Sequence, residues 1–381
     1  MMLRYLLLFV SLCYFLPAQE VADIRLGSWN LEFLGADPKY RRDTPPRSDS
    51  DLVAIGMKIR ALGVAMMGVQ EICGEEPLKA VAEAAGPSWR AVLGTTGKWS
   101  DGKTQQGVGF LYDSSVLDLL YAEELLEFPS ELDGVSVFHR KPVTACFRHR
   151  QTRCDFRVVI VHLKAGRKAR DLQKRKAEAT HLRAWVGDLL KNPNEDRDIV
   201  IFGDFNSTYG EDPEMVLESG DIMRYLDQQQ PAPTIMHFDT PIDQFCVSNG
   251  FREVQRNSLL SHHVPDAEER LRFRKTYSDH FPVTLRMTPL ADDDPESTFK
   301  QGPSEQVLPT TRRPPSKTIS TRTPTWPPRP GTIVQVRTRD AVATGKFIRL
   351  GSDDGWVVID SKTGIMAFPR EQVVSMRVPK N

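Results

Sequence analysis

Ile201-Phe202-Gly203-Asp204-Phe205-Asn206 is the stretch from which the rest of the chain becomes readable. A short apolar run ends in two polar side chains spaced by two. Residues i and i+2 of a strand share a face, so Asp204 and Asn206 present a carboxylate and an amide together. Alone, Gly-Asp-x-Asn after a strand is most often only a turn. Four other segments repeat the pattern. Gly27-Ser28-Trp29-Asn30-Leu31-Glu32 places Asn30 and Glu32 on one expected face, and Gly68-Val69-Gln70-Glu71 sets Glu71 just past an apolar strand. Val161-His162-Leu163-Lys164 follows an apolar-rich run, and Tyr277-Ser278-Asp279-His280 precedes a last one. Five strand ends carrying acid, amide and imidazole groups predict one polar mouth, built where loops from sheets converge.

Between these ends, strand-like runs alternate with helical ones. Residues 24–31, 65–69, 108–112, 143–147, 156–163 and 199–202 read as strands. Residues 52–62 have helical spacing (Leu52, Ile55, Ile59, Leu62), and 168–190 predict a long helix with Leu172, Ala179, Leu182, Val186 and Leu190 on one side. Hairpins mixed with helices indicate an α+β domain over residues 20–290. Residues 291–330 are rich in Pro, Ser and Thr and read as an extended linker. From 331 to 381 five short apolar runs with turns between them predict a small all-β barrel, SH3-like or Sm-like. That tail carries no catalytic set.

The whole chain has 381 residues, 40% hydrophobic and 26% charged, with 50 basic and 50 acidic side chains. Zero net charge means that any grip on a polyanion comes from local clusters. The strongest is Lys164, Arg167, Lys168, Arg170, Lys174, Arg175 and Lys176, with Arg47 near the first strand end. Residues 1–18 read as a signal peptide: Arg4, then an apolar run too short to span a bilayer, then Leu16-Pro17-Ala18. A secreted or periplasmic protein with no transmembrane span after cleavage is expected. Export permits disulfides among Cys73, Cys146, Cys154 and Cys246. Cys146 and Cys154 flank a predicted hairpin turn and are expected to staple it; Cys73 and Cys246 each follow a candidate acid and are expected near each other.

In order and wording these segments resemble the endonuclease/exonuclease/phosphatase superfamily, over about residues 24–286. Trp-Asn, Gln-Glu, Gly-Asp-Phe-Asn and Ser-Asp-His in this order carry the resemblance, and Ile242-Asp243-Gln244-Phe245 fits the remaining family acid. It implies a two-sheet α/β sandwich of the deoxyribonuclease I-like type with the site at one end. It implies a Mg²⁺ or Mn²⁺ site of Glu71 with Asn30 and Glu32, and Asp279 for a second divalent ion. Asp204 would orient or deprotonate the attacking water, and Asn206 would bond a phosphoryl oxygen. His280, held by Asp243, and His162 would meet the phosphate. Gln106 falls where some family nucleases carry a Glu that pairs with this second histidine. Lys164 and Arg167 would touch substrate phosphate. The first reading is a monomeric secreted nuclease acting on DNA or RNA, with the tail as a module for a polymer or surface. The competing readings are a phospholipid phosphodiesterase, an inositol-phosphate phosphatase, and an inactive binding protein on the same fold.

Overall fold

A computed structural model of the protein describes residues 22–36, 41, 47–98, 103–193, 195–208 and 210–290, and five strands beyond them. The expected signal peptide and linker lie outside the described residues. The chain divides into two units, Met1–Arg312 and Arg313–Asn381.

The first unit begins β1 (Ile24–Leu34), α1 (Asp49–Ala61), β2 (Met66–Ile72), α2 (Glu75–Ala85), β3 (Trp89–Leu93), β4 (Gly107–Asp113) and β5 (Leu117–Glu124). A small ribbon, β6 (Glu131–Leu132) and β7 (Val135–Ser136), leads to β8 (Val143–His149), β9 (Asp155–His162), α3 (Ala169–Leu189) and β10 (Ile199–Asp204). It closes with α4 (Asp212–Glu218), β11 (Met223–Tyr225), β12 (Asp243–Ser248), β13 (Val254–Ser261), α5 (Ala267–Thr276) and β14 (Val283–Met287). Two six-stranded sheets result, ordered β13-β14-β1-β2-β4-β3 and β11-β12-β10-β9-β8-β5. Each is mixed: β1–β2 and β9–β10 are parallel, their other neighbours antiparallel.

Period-two alternation explains the layers. Leu26, Met66, Phe110, Ile160, Phe202 and Phe245 fill the space between the sheets. The opposite residues, such as Trp29 and Val69, pack under α1 and α2, and Val159 and Ile201 pack under α3. The sheets approach closely at Gly68, where a Cβ would meet the Phe202 ring at 2.4 Å. α1 starts on a capping box: Ser48 Oγ accepts from Asp51 N–H, and the Asp51 carboxylate accepts from Ser48 N–H. In α3, Ala179, Leu182 and Val186 are buried as expected, but Leu172 is 38% exposed. Among the described residues no helix is long and apolar enough to cross a membrane.

The cysteine expectations fail. Cys146 and Cys154 are both thiols. Cys146 stands opposite Arg157, whereas Cys154 lies at the level of His149, three rungs away. That is roughly 10 Å along the ladder, beyond the ~7 Å Cα separation a disulfide tolerates. The faces differ too: Cys154 packs in the core between the sheets, and Cys146, beside Arg157, points the other way. Cys73 follows β2 in the first sheet, with its Sγ toward Glu71 O, while Cys246 is buried on the α3 side of the second sheet. They do not pair.

The second unit holds β15 (Ile333–Thr338), β16 (Val342–Leu350), β17 (Trp356–Ser361), β18 (Gly364–Pro369) and β19 (Val373–Arg377). They form an antiparallel sheet in the order β18-β17-β16-β15-β19.

Candidate active site

The faces that fill the sandwich turn polar at one end. Asn30 continues the Leu26 face of β1, Gln70 the Met66 face of β2, His162 the Ile160 face of β9, and Asp204 the Phe202 face of β10. Asp243 starts the Phe245 face of β12. All five are buried. Gly203 permits the tight line-up, since a Cβ there would lie 2.0 Å from Val161 O.

Two bulges then depart from alternation. Glu71 has φ +60°, and the β2 register shifts around it against β4. The kink brings its carboxylate to 3.9 Å from His162 Nε2. In β1, Glu32 and Phe33 have φ +42° and +54°, with a register shift between Asn30 and Leu34. This second kink separates Glu32 from Asn30, against the expectation of a shared face. One Glu32 oxygen accepts from Arg274 Nη2 at 2.7 Å, and the other lies 3.3 Å from Arg41 Nη2. Glu32 is therefore an anchor between β1 and the end of α5 rather than a member of the cluster. Arg47, expected on a basic rail, belongs to the same knot. It is half-buried and donates to Glu32 O and Tyr277 O. Burial, together with Arg41, lowers its pKa to about 9.

Asp204 is the hub of what remains. Its Oδ2 accepts from Asn30 Nδ2 at 3.0 Å and lies 3.4 Å from His162 Nε2 and 3.8 Å from His280 Nε2. Its Oδ1 accepts from Asn206 N–H at 2.9 Å. Asn206, with φ +53°, donates one amide hydrogen to Leu163 O and keeps the other. His280 Nδ1 meets Asp243 Oδ2 at 2.9 Å. Ligand-capable atoms of Asp204, Asp243 and His280 lie within 4.8 Å of one another. The loop before β14 is tied to β1: Ser278 Oγ donates to Asn30 O at 2.7 Å, and Trp29 Nε1 to His280 O at 2.9 Å. Asp279 lies close enough to Glu71 to act on its charge.

The two imidazoles are held in opposite states. Burial works against a charged His280, but Asp243, Asp204 and Asp279 outweigh it and hold the ring well above the usual histidine range. Burial, reinforced by Arg140 and His280, drives His162 well below it. Burial raises Asp204, with His280 working against it. Burial and then the Asp279 carboxylate push Glu71 up to about 7. A carboxyl raised by burial and by a neighbouring carboxylate is what a cation relieves. The surrounding donors are carboxylate and amide oxygens, the set preferred by a hard divalent ion, so Glu71, Asn30 and Asp279 fit the metal that the family resemblance implies.

Other expectations are redistributed. Gln106 accepts from Arg140 Nη1 at 2.7 Å, and among the described residues His162 Nδ1 has no hydrogen-bond partner. Arg140, which no motif flagged, also donates to His162 O and Leu163 O and so fixes that strand end. Thr234, equally unflagged, accepts from the Ile242 and Asp243 N–H groups at 3.0 Å each. Lys164 pairs with Asp171 at 3.4 Å, and Arg167 lies over the Phe238 ring, 4.2 Å from its centroid. Arg175 is buried, donating to Lys164 O and Gly166 O.

Comparison with known proteins bears on this arrangement. A curated deoxyribonuclease of Thioalkalivibrio sp. (strain K90mix) is 24% identical over 199 residues, 52% of this chain and 50% of that one. The chain thus spans about half the length of that relative. A solved endonuclease/exonuclease/phosphatase from Bacteroides vulgatus superposes with a TM-score of 0.52 at 16% identity, over 70% of this chain and 98% of that one. D. rerio TDP2 complexed with single strand DNA product gives 0.50 at 14%, with the same coverage. Such identities speak for the fold alone. The description of the Endonuclease/Exonuclease/phosphatase family matches residues 27–280, from the β1 glycine to the histidine of the mouth. With two-thirds of its length and every strand end of the site inside that match, the chain belongs to the endonuclease/exonuclease/phosphatase family.

Proposed function

We propose that the protein is a divalent-metal-dependent phosphodiesterase that hydrolyses nucleic acid. The observation that carries this reading is Asp204 set between a neutral and a cationic imidazole, 3.4 and 3.8 Å away. Environments that push two like groups apart assign acid and base roles.

A Mg²⁺ or Mn²⁺ ion held by Glu71 and Asn30, with Asp279 available to a second ion, would neutralise the phosphate and admit an anionic nucleophile. Asp204 aims the attacking water and takes its proton; N–H donors on both oxygens fix its direction. His280, cationic and braced by Asp243, donates to a phosphoryl oxygen where charge grows. His162 stays neutral; the carboxylates on its Nε2 side favour the hydrogen there, making it a second donor. The spare amide hydrogen of Asn206 is a third.

Nucleic acid is favoured over other phosphodiesters by the deoxyribonuclease relative and by the fold shared with a DNA-bound protein. Lys168 and Arg170 remain exposed at the start of α3 beside the mouth. Residues 1–18 would direct the chain out of the cytoplasm, and residues 331–381 would form an SH3-like or Sm-like barrel that concentrates the enzyme on a polymer or surface.

Purified full-length protein with Mg²⁺ is to be offered plasmid DNA, RNA, sphingomyelin and inositol phosphates in parallel. Cleavage of nucleic acid is expected. Hydrolysis of only the lipid or the inositol phosphates would overturn the substrate reading, and hydrolysis of none the enzymatic one.

A further inference from the structure

A cavity of about 530 Å³ opens beside Asn206, between the start of α3, the turn after β10 and the segment leading into β12. We propose that it is a nucleobase subsite, in which a base next to the scissile phosphate stacks against the paired Arg167 guanidinium and Phe238 ring. This deepens the nuclease reading and rests on it.

Position comes first. Asn206 lines the cavity and, in the mechanism above, bonds the phosphate undergoing attack. Whatever fills the cavity is therefore attached close to that phosphate. Small-molecule pockets span ~300–1,000 Å³, and a base with part of its sugar falls in that range.

Chemistry comes second. Phe238 is half-buried, and the Arg167 guanidinium sits on its face at 4.2 Å. An aromatic ring and a guanidinium are the two planar groups on which bases stack regardless of sequence. Leu172 adds an apolar wall; its 38% exposure is unexpected for the apolar side of α3 and is accounted for by this cavity. The floor is polar. The Arg175–Glu211 pair lines it, Arg175 Nη2 lying 3.9 Å from Glu211 Oε2.

The same features disfavour the rival substrates. A choline head group would want an aromatic face without a competing cation, and Arg167 already occupies that face. An inositol phosphate would want several cations and no apolar wall, whereas Leu172 and Ile242 supply one.

The test uses the full chain, Mg²⁺ and pairs of short oligonucleotides that differ only in whether the residue beside the cleaved phosphate carries a base or is abasic. The readout is the ratio of kcat/KM within each pair. Stacking on one aromatic is expected to make the wild-type ratio roughly tenfold. Phe238→Ala is expected to bring it to one and Phe238→Tyr to retain it, with melting temperatures as the folding control. If Phe238→Ala does not fold, Phe238→Leu, apolar but not aromatic, is read in its place with the same expectation. A wild-type ratio of one, or a ratio that survives loss of the ring, overturns the subsite while leaving the nuclease reading intact. Failure to cleave either oligonucleotide overturns the nuclease reading itself.

Discussion

The second sheet buries charge at both of its ends and treats it in opposite ways. Where β9 begins, Glu195 and Asp155 each have an arginine. Arg157 reaches Glu195 at 2.7 Å, and Arg148 makes two bonds to Asp155. Where β9 and β10 end, Asp204 has amide donors and two imidazoles around it, and Glu71 has the Asp279 carboxylate acting on it. Glu32 sharpens the contrast from inside the motif: two residues past Asn30, it is neutralised by Arg41 and Arg274. A buried acid with its own arginine holds elements together. A buried acid crowded by acids and imidazoles has its protonation displaced, and such groups cluster where chemistry is done.

The largest expected effects lie at the crowded end. Chelation with EDTA should abolish hydrolysis, and Mg²⁺ or Mn²⁺ should restore it. Asp204→Asn and His280→Ala should each lower kcat by ~10²-fold or more, the usual scale for acid–base groups, with an unchanged circular dichroism spectrum. Near wild-type turnover in either folded variant would erase the distinction between the two ends.

The arginine-paired end should behave the other way. Arg157→Met leaves Glu195 buried without that partner, a change that costs ~3–5 kcal/mol. Denaturant unfolding should record the loss, while kcat per folded molecule stays as in wild type. A catalytic defect without a stability loss would show that this end does more than hold the sheet.

Glu32→Gln is a finer discriminator. It preserves shape but removes the charge facing two arginines, so unfolding should come earlier by about 2 kcal/mol, the scale of charged hydrogen bonds. The Mg²⁺ concentration for half-maximal activity should not move. Glu71→Gln should raise it. If both variants raise it equally, Glu32 is a ligand after all and the bulge in β1 has been misread.

That bulge marks where sequence reading stops. Alternation alone places Asn30, His162 and Asp204 on one inward face, because each continues an apolar face of its strand. It also predicts a shared face for Asn30 and Glu32, and this fails because positive φ at Glu32 and Phe33 breaks the period. Non-glycine residues in that conformation leave no mark in the sequence, so the inward turn of Glu71 is equally illegible. Arg140 and Thr234 escape for another reason: they act on main-chain groups at strand ends, and no spacing records that. The basic cluster misleads in the opposite direction. Arg175 is buried, Lys164 pairs with Asp171 and Lys176 with Asp212, so charges that look available as a rail are partly engaged within the fold. α5 has only Phe273 buried, too little apolar periodicity to announce a helix.

The smallest expected effect concerns the β8–β9 hairpin at the arginine-paired end. Reductant should leave the melting temperature unchanged, and peptide mapping of material made in an oxidising compartment should find Cys146 and Cys154 unlinked. Both side chains are about 1% exposed, and burial pushes the Cys146 thiol far above its ordinary range, so both should alkylate only after unfolding. The ladder between them is the reason. Phe147 opposite Phe156 and Arg148 opposite Asp155 occupy the rungs that separate the two cysteines. Linking the sulfurs would require the register to slip, and a slip of one residue exchanges the faces of a strand. Phe147 or Phe156 would then leave the core between the sheets, and the Arg148–Asp155 pair would be broken. A mapped Cys146–Cys154 disulfide in folded, active protein would therefore overturn the register of this hairpin, and with it the arginine-paired half of the comparison.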